Sequence, residues 1–182
     1  MLVPNWLNWS EAKTKSVGDF MALTSYWLFV LKLVAILGCG LVAGVFFAFS
    51  TFVMSALARL QPAQGIAAMQ SINITVINPL FMMALFGTAA ACIFLAVSSL
   101  LKWHQLDAAY LLLGSLLYLV GTVGVTILFN VPLNDALATV DPSSTDSASL
   151  WNRYLTNWTK WNHIRTVAAL AASALLTIAL SK

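Results

Sequence analysis

Charge is what this 182-residue chain most lacks. Only 8% of its residues are charged against 60% hydrophobic, and a mean hydropathy of +0.87 leaves no material for a separate water-facing domain. The nine Lys and Arg form no basic run. That excludes the electrostatic footprint of a nucleic-acid partner and equally a polybasic lipid switch. Cysteine is nearly missing too: Cys39 and Cys92 both fall inside apolar runs, with no CxxC and no metal-ligand spacing to histidine, so they read as small polarizable core residues and not as a redox pair. The two histidines, His104 and His163, lie in connections expected on opposite sides of the membrane, which excludes a bis-histidine haem. No carboxylate and histidine set suits a di-iron bundle, and metal ligands are therefore not expected. GxSxG, Walker and dinucleotide glycine signatures are absent, as are internal repeats and low-complexity tracts. A transporter is disfavoured by four short spans without an obvious charged pathway.

What the chain has is apolar length. Four runs, Leu33 to Ala58, Pro79 to Leu101, Ala108 to Phe129 and Ile164 to Leu180, are long enough to cross a bilayer, since about 20 apolar residues span the roughly 30 Å hydrocarbon core as helix. Period-two alternation is lacking, so a β-barrel is excluded and helices remain. The expected fold is an all-α integral membrane four-helix bundle, a single domain over residues 1–182. Residues 1–25, with Trp6, Trp9 and mixed charges, read as a short interfacial segment. Ala56-Leu57-Ala58 resembles a signal-peptidase site, but the run before it far exceeds the 7 to 15 residues, roughly, of a signal h-region. Four spans put both termini on one side. The positive-inside count ties, and setting Lys160 and Arg165 aside as site residues tips both termini to the cytoplasmic side, in a bacterial plasma membrane. Span three carries Gly114, Gly121 and Gly124 and span one Gly40 and Gly44; such spacing lets helices approach closely within the bundle and leaves a homo-oligomer open.

Polar residues gather at one end of this bundle. Thr122, Thr126, Asn130 and Asn134 recur every four residues and share a helix face, which Pro132 is expected to kink or terminate. Ahead of span four, about 100° per residue puts Trp151, Tyr154, Trp158, Trp161, Asn162 and Arg165 on one face, while His163 points to the opposite side unless the helix is distorted. Tryptophan and tyrosine also form ordinary interfacial belts, so that alternative stays open. An arginine at the start of an apolar span nevertheless calls for a partner, expected among Asn73, Asn130 and Asn134. The third piece, Ser71 to Pro79 with Asn73 and Asn78, enters span two from the same side. Convergent amides, an arginine, a histidine and aromatic walls suit a flat, largely apolar ligand with a few oxygens.

Four segments in this order carry a family resemblance: Phe46 to Met54 (FFAFSTFVM); Met69 to Asn73 with Asn78-Pro79-Leu80-Phe81; Asn130-Val131-Pro132-Leu133-Asn134; and Trp158 to Thr166 (WTKWNHIRT). They resemble the anthrone oxygenase-like integral membrane family over nearly everything from span one to the C-terminus. The resemblance implies four membrane helices and, from fungal members, oxidation of anthrones to anthraquinones without a recognised metal or flavin; most bacterial relatives have no assigned activity. It points to a membrane-bound, cofactor-independent oxygenase of anthrone-like or quinol-like aromatics, whose partners are a small hydrophobic aromatic molecule and the lipid bilayer. Such chemistry needs a base, donors to a developing oxyanion and a dry pocket. His163, as the base, with Arg165 and Asn73 form the expected catalytic set. Asn78, Asn130, Asn134, Tyr154, Trp158, Trp161 and Asn162 form the expected binding set, with Trp158 and Trp161 holding the rings. The competing class is a non-catalytic membrane module that binds a quinone, pigment or lipid, or stabilises a larger assembly.

Overall fold

The computed structural model describes residues 5–144 and 146–182. Four of its helices are long and apolar enough to cross a membrane, which makes the chain an integral membrane protein, and no strand occurs among the described residues. The first, α1, runs over Asn5–Ala48 and continues through a π-helical turn, Phe49–Val53, into a last α turn, Met54–Leu57. A short helix α2 (Pro62–Thr75) then crosses the end of the bundle. The remaining spans are α3 (Pro79–Leu101), α4 (Ala108–Ala138) and α5 (Ser147–Leu180). With four antiparallel spans, Asn5 and Lys182 lie at the end away from α2.

Two boundaries differ from expectation. Residues 5–25 are helical and run into the span without a break, so α1 starts well before Leu33; Met1 to Pro4 lie outside the described residues. Nothing in that stretch breaks a helix, because Gly18 alone does not and no proline follows Pro4 until Pro62. The tryptophan-rich segment ahead of the fourth run is likewise the first half of α5.

Pro132 neither ends nor sharply breaks α4. It falls in the first turn of the α segment Val131–Ala138, directly after a π-helical turn, Thr126–Asn130. Proline lacks the amide donor and crowds the carbonyl four residues back, and the wider π turn absorbs both defects before the α register resumes. A second π stretch, Leu117–Gly124, precedes it, and α3 carries a third, Met83–Gly87. Among the four spans, only α5 is regular throughout.

The spans pack in a ring, α1 against α5, α5 against α4, α4 against α3 and α3 against α1. Around the midplane and towards the termini the core is built from small residues: Ala35, Cys39, Ala43, Ala91, Cys92, Ala169, Ala172 and Ala179, with Leu95, Leu111 and Leu176 between them. Lipid supplies no hydrophobic drive for helix association, so close van der Waals approach must do it. Gly121 shows how close: a Cβ there would stand 2.6 Å from the Ala168 Cβ. Leu37, Leu41, Phe94, Leu100, Val120 and Val167 face outward, as lipid-facing residues should. At the terminal end Lys32 forms a salt bridge with Asp107.

Candidate active site

At the α2 end the ring opens. Helices α3 and α4 pack along Thr88–Leu101 and Ala108–Gly124, and the hydroxyl of Tyr118 still donates to the Leu85 carbonyl at 3.1 Å. Beyond that bond the two helices part. The gap leads into a cavity of about 230 Å³ under α2, walled by Phe46, Phe49, Phe81, Leu85, Met69, Ile72 and Trp158. Its rim on the gap side carries the exposed Phe86 and Ile127, which give it an apolar edge. Towards the membrane surface the cavity shares Asn73, Ile77, Val131 and Asn134 with a wider vestibule of about 600 Å³, where Gln70 and Asp135 add polar edges. Gln70 ties α2 down over this space, its amide donating to the carbonyls of Leu137 at 2.9 Å and Val140 at 3.0 Å.

One ionisable group lines the inner cavity, Arg165. Its position follows from α5: Trp151, Tyr154, Trp158, Asn162 and Arg165 share the buried face that helical spacing predicts. The guanidinium lies 4.1 Å from the Phe46 ring centroid and 4.9 Å from that of Trp158, a double cation–π contact. Its Nε and one terminal nitrogen both donate to Asn162 Oδ1, at 3.1 and 2.9 Å, and the other terminal nitrogen donates to Thr126 Oγ1 at 3.2 Å. The Asn162 amide is held in turn, donating to the Phe46 carbonyl and to Ser50 Oγ, each at 2.7 Å. Arg165 therefore has a fixed orientation. It does not have a counter-ion: no carboxylate pairs with it among the described residues.

The expected partners of Arg165 were Asn73, Asn130 and Asn134, and the structure corrects this. A residue three positions back on the same helix can reach a guanidinium without any fold-level coincidence, and Asn162 does so. Asn134 instead accepts from the Tyr154 hydroxyl at 2.9 Å and from Trp158 Nε1 at 2.8 Å, fixing the aromatic wall. Asn130 is buried beside the wall, not in the cavity; its amide donates to the Trp158 carbonyl at 3.2 Å. Asn73 does face the cavity, with its amide nitrogen buried, beside the Tyr154 hydroxyl, and lacking an acceptor at bonding geometry.

Of the ten residues expected from sequence, the cavity thus gathers Asn73, Asn134, Trp158 and Arg165. Tyr154, Asn162 and Asn130 stand directly behind them. Three lie elsewhere. Asn78 caps α3, accepting from the Phe81 amide at 3.0 Å. Trp161 stacks on Phe129 at 3.7 Å between ring centroids, away from the cavity. His163 is exposed on the opposite face of an undistorted α5, in a groove against α1 that Trp158 does not line. The unwinding that would have turned it inward does not occur, because nothing between Ser147 and Leu180 breaks the helix.

Sequence reasoning missed Phe46 and Phe49 as walls and Thr126 as an arginine ligand. Their signal was present, since Thr126 shares the Thr122 to Asn134 stripe and Phe46 lies in an aromatic-rich stretch. No group of three or more His, Cys, Asp or Glu residues able to hold a metal ion occurs among the described residues.

The anthrone oxygenase family model matches residues 79–175, more than half of the chain. The chain belongs to the anthrone oxygenase family. The match takes in α3, α4 and most of α5, and with them Thr126, Asn134, Trp158 and Arg165; the walls from α1 and the roof from α2 lie outside it. No curated protein and no solved structure matches.

Proposed function

We propose that the cavity binds the enolate of a flat, ketone-bearing aromatic of the anthrone type and allows dioxygen to oxidise it at the activated carbon. The observation that carries this reading is Arg165: a buried, rigidly held cation without a carboxylate partner, in an otherwise apolar aromatic cavity. A buried charge is costly unless compensated, and the compensation here would be an anionic oxygen of the ligand. The Asn73 amide offers a second donor to the same oxygen or to another on the ring system.

Anthrone chemistry fits such a cradle. Loss of one proton from the ring CH₂ gives the anthrolate, whose oxygen carries the charge and whose carbon is electron-rich. That carbon transfers an electron to dioxygen and the resulting radicals join, forming a C–O bond to a peroxide; protonation gives the hydroperoxide. Loss of its C–H proton and cleavage of O–O release water and leave the carbonyl. One dioxygen is consumed per anthrone, one oxygen atom entering the anthraquinone and the other leaving as water. Arg165 would favour the first step by stabilising the enolate, the kind of contribution preorganised donors make to a developing oxyanion. His163 is not retained as the base. Asp135, which lines the vestibule, is a carboxylate on the path by which a proton would leave to water.

The absence of a base lining the inner cavity favours a second reading, in which the same cradle holds a phenolate or quinol-like anion without turnover. Purified protein in liposomes, given anthrone and monitored for oxygen uptake, separates the two. One-to-one consumption of oxygen with anthraquinone formation above the rate of boiled protein supports oxidation; saturable binding without uptake leaves the binding reading. For the membrane, we propose the bacterial plasma membrane with termini in the cytoplasm. Cysteine probes at Asp141 and Lys182 should label from opposite sides, Lys182 from within.

A further inference from the structure

The face of α5 opposite the cavity carries a second feature. Thr156, Thr159, Lys160 and His163 recur at spacings of three and four and therefore form one stripe. With Ser55 and Ser50 of α1 they line an open groove of about 410 Å³ whose remaining lining is Met54, Ala58 and Leu155. The groove sets hydroxyls, a lysine and a histidine into a largely apolar surface. No carboxylate lines it, and neither Lys160 nor His163 has an ion-pair partner among the described residues. The hydroxyl of Ser55 makes only a long bond, 3.5 Å, to the Thr51 carbonyl.

Its depth matters as much as its chemistry. One turn further along α5 the exposed residues become Ile164, Val167 and Leu170, and the matching face of α1 continues as the exposed Phe47. Donors thus stand where head groups meet hydrocarbon, and an apolar track leads from them towards the bilayer centre. We infer that this groove holds one anionic phospholipid, its phosphate taken by Lys160, His163 and the Ser55 and Thr159 hydroxyls and one acyl chain lying along Val167, Leu170 and Phe47. A phosphate diester offers acceptors only and complements a groove of donors without acids. Ser50 links the groove to the cavity, since its hydroxyl also receives the Asn162 amide that sets Arg165.

Native mass spectrometry of the detergent-purified protein tests this, with phosphatidylglycerol, phosphatidylcholine and free glycerol 3-phosphate as probes. Phosphatidylglycerol should be retained at one molecule per chain in preference to phosphatidylcholine. Lys160→Ala should weaken it roughly fivefold, the effect of one basic side chain near an anionic lipid; Lys160→Ala with His163→Ala should weaken it further, and Arg153→Ala, exposed on the same helix outside the groove, should leave it unchanged. Equal retention of the two lipids, or undiminished retention by the double variant, overturns the inference. So does displacement by glycerol 3-phosphate at the lipid's own concentration, which would make this a free phosphate-ester site. Should the double variant fail to fold, a photoreactive phosphatidylglycerol on the unaltered protein still decides: cross-links must map to residues 47–58 and 155–170, and cross-links elsewhere overturn it.

Discussion

The two ends of the bundle solve opposite problems with the same four helices. Towards the termini the spans close on one another through alanines, cysteines and glycines, and the end is tied by the Lys32 and Asp107 pair. Towards α2 they part, large aromatic side chains replace small ones, and the polar groups are spent on orienting each other: Asn134 on Tyr154 and Trp158, Asn162 on Arg165. The packed end can be stable because its helices meet closely through small side chains. The open end can be selective because the other end holds it in place.

That contrast can be broken experimentally, and the largest effect should come from the open end. Arg165→Leu is expected to cut oxygen uptake with anthrone by about 10² to 10³, the loss typical of one oxyanion donor. Its cost in stability should stay within about 1–3 kcal/mol, because Asn162 Oδ1 loses its donors while an uncompensated cation is removed. Unfolding of the bundle by this single change would show that the open end carries stability after all. Next, Gly121→Val should cost about 1–3 kcal/mol by overpacking against Ala168, read as a lower midpoint of thermal unfolding in detergent; an unchanged midpoint would mean the packed end has slack. Asp107→Asn should lower stability by about 1 kcal/mol, since the pair is shielded but near the interface.

The smallest effect concerns the connection between α4 and α5. Asp141 accepts from the Ser143 hydroxyl at 2.7 Å and from its amide at 2.9 Å, and these bonds hold its carboxyl below the usual aspartate range. A depressed native pKa means the turn is favoured above the ordinary aspartate value and loses that support only as pH falls through the lower one. Carbon NMR of the Asp141 carboxyl should show the low titration, and Ser143→Ala should move it back up; a titration unaffected by that change would remove the hydroxyl as a cause.

Sequence made the architecture legible because length and hydropathy are summed over some twenty residues and tolerate local error. The second span was readable to the residue, Pro79–Leu101, since a proline marks its start and Lys102 its end; that Asn78, expected to bind ligand, caps this helix is a finding of the structure. The buried face of α5 was equally readable, because an unbroken helix keeps its period from Trp151 to Arg165. The same regularity argued against His163 from the outset, and chemical suitability could not override geometry. Arginine's partners were the harder question. Asn162 and the more distant amides looked alike in composition, and only the side-chain reach of three residues along one helix separates them. The α1 walls were only half legible, because the aromatic-rich stretch around Phe46 marks the right part of the span but does not say which of its rings faces inward.

The π turns of α1, α3 and α4 have a consequence for how this site could be altered. Each widened turn shifts the angular phase of everything beyond it relative to an unbroken α-helix. The widened turn at Thr126–Asn130 accommodates one extra residue, so a deletion there would let it close to an ordinary turn with little change of direction, whereas deleting one residue between Val131 and Leu133, in the α-helix beyond it, would rotate Asn134 by about 100° against Thr126. Composition would hardly change, the span would still cross the membrane, and yet Asn134 would no longer meet Tyr154 and Trp158. In this protein the cavity is encoded partly as a count of residues, so a change of length by one is a more drastic edit than most changes of identity.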